Sequence, residues 1–140
     1  MSHSRDLANE FLQTVKNAKS VIVGSHLNPD GDALGSALAV SHFLDTLGIP
    51  NDVMCHHKSP KNLEFLPGAD RIRQIPALPS HDLAIIVDLE ATDRLGTTEP
   101  YFYKAPKMVV IDHHLPHKKP GDLRIIDTSA SATALILTRI

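Results

Sequence analysis

Three short clusters in this sequence hold residues able to do chemistry. They are His26, Asp30 and Asp32 in HLNPDGD, Asp88 at the end of AIIVD, and Asp112, His113 and His114 at the end of VVIDHH. Aspartates crowded into one crevice repel one another unless cations neutralise them. Carboxylates mixed with imidazoles suit a divalent ion of intermediate hardness, such as Mn²⁺, better than a thiolate-bound structural zinc. The loop from His26 to Asp32 contains Gly31, so it can fold back and aim alternate side chains at two neighbouring ions. A carboxylate such as Asp88 can bridge both ions through its two oxygens. A bridged pair roughly 3.5–4 Å apart is a common device for hydrolysing phosphate esters. Each piece also has a plainer reading. Taken alone, Asp88 is a turn former or helix cap, and Asp30 and Asp32 are an Asx-turn and a helix N-cap. Two adjacent imidazoles at the end of an apolar strand have little packing value, however. Convergence of the three clusters decides for metal.

That convergence needs elements to produce it. The runs at 21–25, 82–88 and 107–112 are short, apolar and rich in β-branched residues, as buried parallel strands are, and each leads into one cluster. Residues 51–55 and 123–127 read as two further strands. Amphipathic spacing predicts a helix over 6–18 and another over 33–48, stopping at Gly48 with Pro50 beyond. Residues 61–75 read as a mixed connection with a turn at Pro67-Gly68, and SASATALILTRI begins a last helix. Alternating strands and helices predict an α/β fold, a mostly parallel β-sheet flanked by helices. In such a sheet ligands bind beyond the carboxyl ends of the strands, which puts all three clusters on one side. The last helix carries no stop signal at Ile140, which reads as a fragment of a longer chain.

Composition excludes several functions. With 140 residues, 42% hydrophobic and 21% charged, the chain suits one globular domain. A formal charge of −2 offers no broad basic face to nucleic acid or membrane. No Trp and few aromatics leave no stacking platform for single-stranded bases. The lone Cys55 forms no intramolecular disulfide and fits a reducing, cytoplasmic setting. No apolar run is long enough to span a membrane, and the first residues lack the apolar core of a signal peptide. Outside the clusters, His3 reads as part of a disordered start, His42 as a helix residue and His81 as preceding a strand. His56 and His57 follow the second strand near the site mouth, and His117 is a solvated loop residue.

HLNPDGDALGS at 26–36, IIVDLEATDRLG at 85–96 and VVIDHH at 109–114 resemble the first three motifs of the DHH phosphoesterase superfamily. The triplet Asp112-His113-His114 is the one that names it. NLEFLPGADRI and IIDTSASATALI resemble the bacterial branch of oligoribonucleases that also dephosphorylate 3′-phosphoadenosine 5′-phosphate. The resemblance runs from about Asp6 onward. It implies two divalent ions, usually manganese, with His26 and Asp30 on one, Asp32 and His113 on the other, and Asp88 between them. It implies further that His114 contacts the phosphate and protonates the leaving oxygen, that Asp112 orients the imidazoles, and that a bridging hydroxide attacks. The expected partners are a short RNA oligonucleotide or nucleotide phosphate substrate, and a second copy of the full-length parent in a homodimer.

The family's fourth motif, which gives the second ion one more aspartate, has no match here. Asp127 does not fill that place, and the glycine-rich C-terminal substrate-binding domain has no match either. The resemblance therefore implies that residues 1–140 are a DHH catalytic domain, incomplete at its C-terminus. Two alternatives stay open. One is an inorganic pyrophosphatase, because the related family II pyrophosphatases share the first three motifs. The other is a truncated module that binds metal and is catalytically silent.

Overall fold

The computed structural model describes residues 2–89, 92–114 and 121–140. Its centre is six strands: β1 (Val21–Gly24), β2 (Asn51–Met54), β3 (Ile72–Arg73), β4 (Leu83–Val87), β5 (Met108–Asp112) and β6 (Leu123–Ile126). They form one sheet in the order β3-β2-β1-β4-β5-β6, and every pairing is parallel. Four helices accompany it: α1 (Ser2–Lys16), α2 (Gly31–Thr46), α3 (Glu99–Tyr103) and α4 (Thr133–Thr138). The α/β fold with a parallel sheet is as the sequence predicts. No helix among the described residues is long and apolar enough to cross a membrane.

Parallel strands covered on both faces need apolar side chains at every position. β1, β4 and β5 are accordingly buried along their whole length. On one face Val21, Val23, Ile85, Val109 and Ile111 meet Phe11 and Val15 of α1, Leu38 and Leu44 of α2, and Ile136 of α4. On the other, Ile22, Met54, Ala84, Ile86 and Val110 pack under Leu89, Leu95 and Phe102. Leu95 belongs to a 3₁₀ stretch, Thr92–Thr98, and Phe102 to α3, so this second layer is thin. Gly24 makes room for it: a Cβ there would lie 2.2 Å from the Phe102 ring.

Three details depart from the sequence reading. The first helix spans Ser2–Lys16 rather than 6–18, so His3 lies in its first turn and not in a disordered start. The second begins at Gly31 because Asp30 caps it, with extended backbone and its Oδ1 accepting the Ala33 N–H at 2.8 Å. β3 has two residues on the outer edge of β2, too short to leave a periodic signal.

The strand order also places the site. From β1 the chain moves outward to β2 and β3, then returns to β4 on the other side of β1. The reversal opens a crevice between the carboxyl ends of β1 and β4. His26 follows the first of these ends and Asp88 the second.

Candidate metal centre

β1, β4 and β5 are neighbours, so their carboxyl ends bring the three sequence clusters together. Asp88 occupies the middle and is 2% exposed. Its N–H donates to the Ile111 carbonyl at 3.0 Å, continuing the sheet by one residue. The backbone then turns left-handed at φ +55°. Aspartate tolerates this conformation better than most residues, at a cost on the order of 1 kcal/mol. Its carboxylate faces three elements. Oδ2 lies 3.3 Å from His26 Nε2, and Oδ1 lies 3.3 Å from His113 Nε2. Oδ1 also accepts the Thr133 hydroxyl at 3.2 Å.

The rings are held in place by their other nitrogens. His26 Nδ1–H donates to the Leu27 carbonyl, leaving Nε2 toward Asp88 and, at 4.0 Å, toward Asp30 Oδ1. His114 Nδ1–H donates to Asp112 Oδ1 at 2.7 Å. The His113 and His114 ring centroids are 4.3 Å apart. Two donor groups result, each with its ligand atoms within 4.8 Å of one another: His26, Asp30 and Asp88; and Asp88, Asp112, His113 and His114.

Asp32 lies beside the second group, its Oδ2 3.5 Å from His113 Nε2. Its oxygens also accept the Thr133 and Ala134 N–H groups, both at 2.9 Å. The residue before α4 is Ala132, which brings no side-chain cap, so Asp32 caps that helix from across the chain. Burial pushes the Asp32 carboxyl up, but the Ala134 and Thr133 amides outweigh it and hold the group below its ordinary 3.8. Thr133 is fully buried and donates to Asp32 and Asp88 together. Sequence reasoning missed it; the only signal was the Ser/Thr/Ala run in IIDTSASATALI.

Imidazoles are the ion-pair partners of Asp88 among the described residues; no Lys or Arg reaches it. Buried carboxylates matched by imidazole nitrogens, with no Lys or Arg paired to Asp88 among the described residues, fit a divalent ion well. Without one, Asp88 compensates through His26. The hydrogen bond that His26 donates to the Asp88 carboxylate lifts the His26 pKa above its ordinary 6.5, against the opposing effect of burial. In ion-free protein this contributes stability that is complete below pH 6.5 and lost as pH rises through the folded-state value. An ion held at Nε2 would compete with the same proton, so its affinity would fall as pH drops through that value. Melts in chelator should therefore show stability falling from pH 6.5 upward, with His26→Gln losing that part of the slope. A slope the substitution leaves unchanged contradicts this placement of His26.

A cavity of about 320 Å³ opens on the site, lined by His26, Asp88, Leu89, Arg94 and His114. Arg94 lies inside the second motif, where reading for metal ligands passed over it. The other histidines go elsewhere. His42 Nε2 bonds the Pro67 carbonyl, His81 Nε2 pairs with the buried Asp52 at 2.8 Å, and His56 bonds Thr97. His117 lies outside the described residues.

The model for the DHH family, N-terminal domain, matches residues 20–140. A bifunctional oligoribonuclease and PAP phosphatase, NrnA, of Thermus thermophilus is 30% identical over 132 residues, 91% of this chain and 37% of that protein. The Bacillus subtilis protein of the same name is 24% identical over 129 residues, 91% of this chain and 40% of its own length. The chain thus spans about two fifths of these relatives. The crystal structure of an exopolyphosphatase-related protein from Bacteroides fragilis superposes with a TM-score of 0.86 at 25% identity, covering 97% of this chain and 43% of that one.

Proposed function

Because the chain belongs to the DHH family, matching its N-terminal domain, we propose that residues 1–140 are part of the catalytic domain of a metal-dependent phosphoesterase. The substrates are short RNA oligonucleotides or nucleotide 3′-phosphates. The observation that carries the metal reading is the division of Asp88: one oxygen faces His26 and the other faces His113, each at 3.3 Å. One buried carboxylate serving two imidazole-bearing groups is what a shared ligand requires. His26 and Asp30 would hold one ion with Asp88; His113 and Asp32 would hold the other. Two divalent ions, Mn²⁺ by the softness of this mixed donor set, would supply a deprotonated water and offset the phosphate charge when bound.

The chain's own groups do the rest. Thr133 fixes one oxygen of Asp88 and, through its amide, one oxygen of Asp32, so both carboxylates keep their orientation. Asp112 fixes the His114 ring by Nδ1 at the wall of the cavity. From there His114 contacts the phosphate and gives its proton to the leaving oxygen. The substrate class comes from the relatives, two of which carry oligoribonuclease and PAP phosphatase in their names. A free, buried Cys55 suits a reducing cytoplasmic setting.

Calorimetric titration with Mn²⁺ should resolve two sites. The full-length parent, loaded with Mn²⁺, should then release mononucleotides from an RNA dinucleotide and phosphate from 3′-phosphoadenosine 5′-phosphate. Protein that binds no Mn²⁺ overturns the metal reading. Loaded protein that cleaves only pyrophosphate overturns the substrate assignment.

A further inference from the structure

The stretch Thr92–Thr98 is anchored at four consecutive residues, and one of them is the basic residue facing the metal-site cavity. The Arg94 carbonyl accepts the Leu27 N–H at 2.7 Å, next to His26. Leu95 is fully buried in the core with Ile22, Met54 and Phe102. Gly96 turns back at φ +63°, ψ −135°, where a Cβ would meet His56 Nδ1 and a Leu27 methyl at 2.5 Å each. Thr97 N–H then donates to His56 Nδ1 at 2.9 Å. Such over-determination is how a fold holds a side chain for a task.

Arg94 shares its cavity with His26, Asp88 and His114, yet makes no ion pair with a carboxylate among the described residues. An arginine lining an acidic crevice, with no carboxylate paired to it among the described residues, suits an anionic ligand, and its fork matches two phosphate oxygens. We propose that Arg94 binds the non-bridging oxygens of the substrate phosphate, with His56 as a positioning residue acting through Thr97. This rests on the phosphoesterase reading above. Ion-free, the crevice is acidic and repels phosphate; with divalent cations on its aspartates, it is cationic on both sides. Anion binding at Arg94 therefore depends on Mn²⁺.

Inorganic phosphate titrated into Mn²⁺-loaded protein is the probe. Arg94→Gln should weaken phosphate binding about 10- to 100-fold, the span of a hydrogen-bonded contact to a charged group. Arg94→Lys should recover part of the loss. His56→Ala should weaken phosphate several-fold, and His56→Asn, whose carboxamide oxygen can accept the Thr97 N–H, should restore it. Mn²⁺ affinity should be unchanged in all four variants, and Arg94→Gln should raise KM for a phosphate ester more than it lowers kcat. Wild-type phosphate affinity in Arg94→Gln overturns the proposal while leaving the metal reading intact. Failure of the wild type to bind Mn²⁺ removes the metal reading itself, a result the Mn²⁺ titration reports separately.

Discussion

Asp88→Ala in the full-length parent is expected to lower phosphate-ester hydrolysis by at least about a thousandfold, even at saturating Mn²⁺. The carboxylate serves both donor groups, so its loss weakens two ions rather than one. Several kcal/mol of charge stabilisation go with those ions, and each 1.4 kcal/mol is a factor of ten in rate. Calorimetry should show the two Mn²⁺ sites lost or greatly weakened together. Asp88→Asn is the control for folding. Asparagine accepts the Thr133 hydroxyl and tolerates the left-handed backbone, while removing the charge. It should melt close to the wild type and still lose most activity. Near-wild-type turnover in either variant, with Mn²⁺ saturating, would refute the bridging role.

His114→Ala should separate chemistry from metal binding. Turnover is expected to fall about 10²- to 10⁴-fold, the usual contribution of a positioned general acid. Mn²⁺ affinity should hold, because His26, Asp30, Asp32, Asp88 and His113 remain. Asp112→Asn should follow the same pattern more mildly, since it disturbs the 2.7 Å bond that orients the ring and leaves the ring itself. A parallel loss of Mn²⁺ affinity in His114→Ala would instead make His114 a ligand. Its place in the second donor group makes that outcome a real test.

The strands were legible because burial on both faces forces unbroken apolar runs rich in β-branched residues, as in AIIV and MVVI. The clusters were legible because each follows one of those runs directly. What escaped the sequence depends on distance along the chain. Asp32 meets the start of α4 across 101 residues, and no local pattern announces such a bond. Thr133 hides as an ordinary helix-start residue, although its hydroxyl and amide reach two aspartates of the site. Arg94 hides as a surface charge until the turn at Gly96 and the Leu27 bond place it at the cavity. The plainer readings were also partly true. Asp30 does cap a helix, and the same Oδ1 that accepts the Ala33 amide lies 4.0 Å from His26 Nε2, so capping leaves it within reach of the proposed site.

The all-parallel strand order has a consequence for how the molecule comes to exist. No two paired strands here can be joined by a tight hairpin, so each pairing must close a long loop before it gains anything. The central pairing, Val21 with Leu83, spans 62 residues, and the cap of Asp32 on Thr133 spans 101. Chains dominated by such distant contacts fold slowly. The first half of the polypeptide, as it leaves the ribosome, carries His26, Asp30 and Asp32 with nothing to complete them. The crevice arises only when the second half has brought its strands alongside, so an ion held there would be captured after the sheet has formed rather than nucleate it.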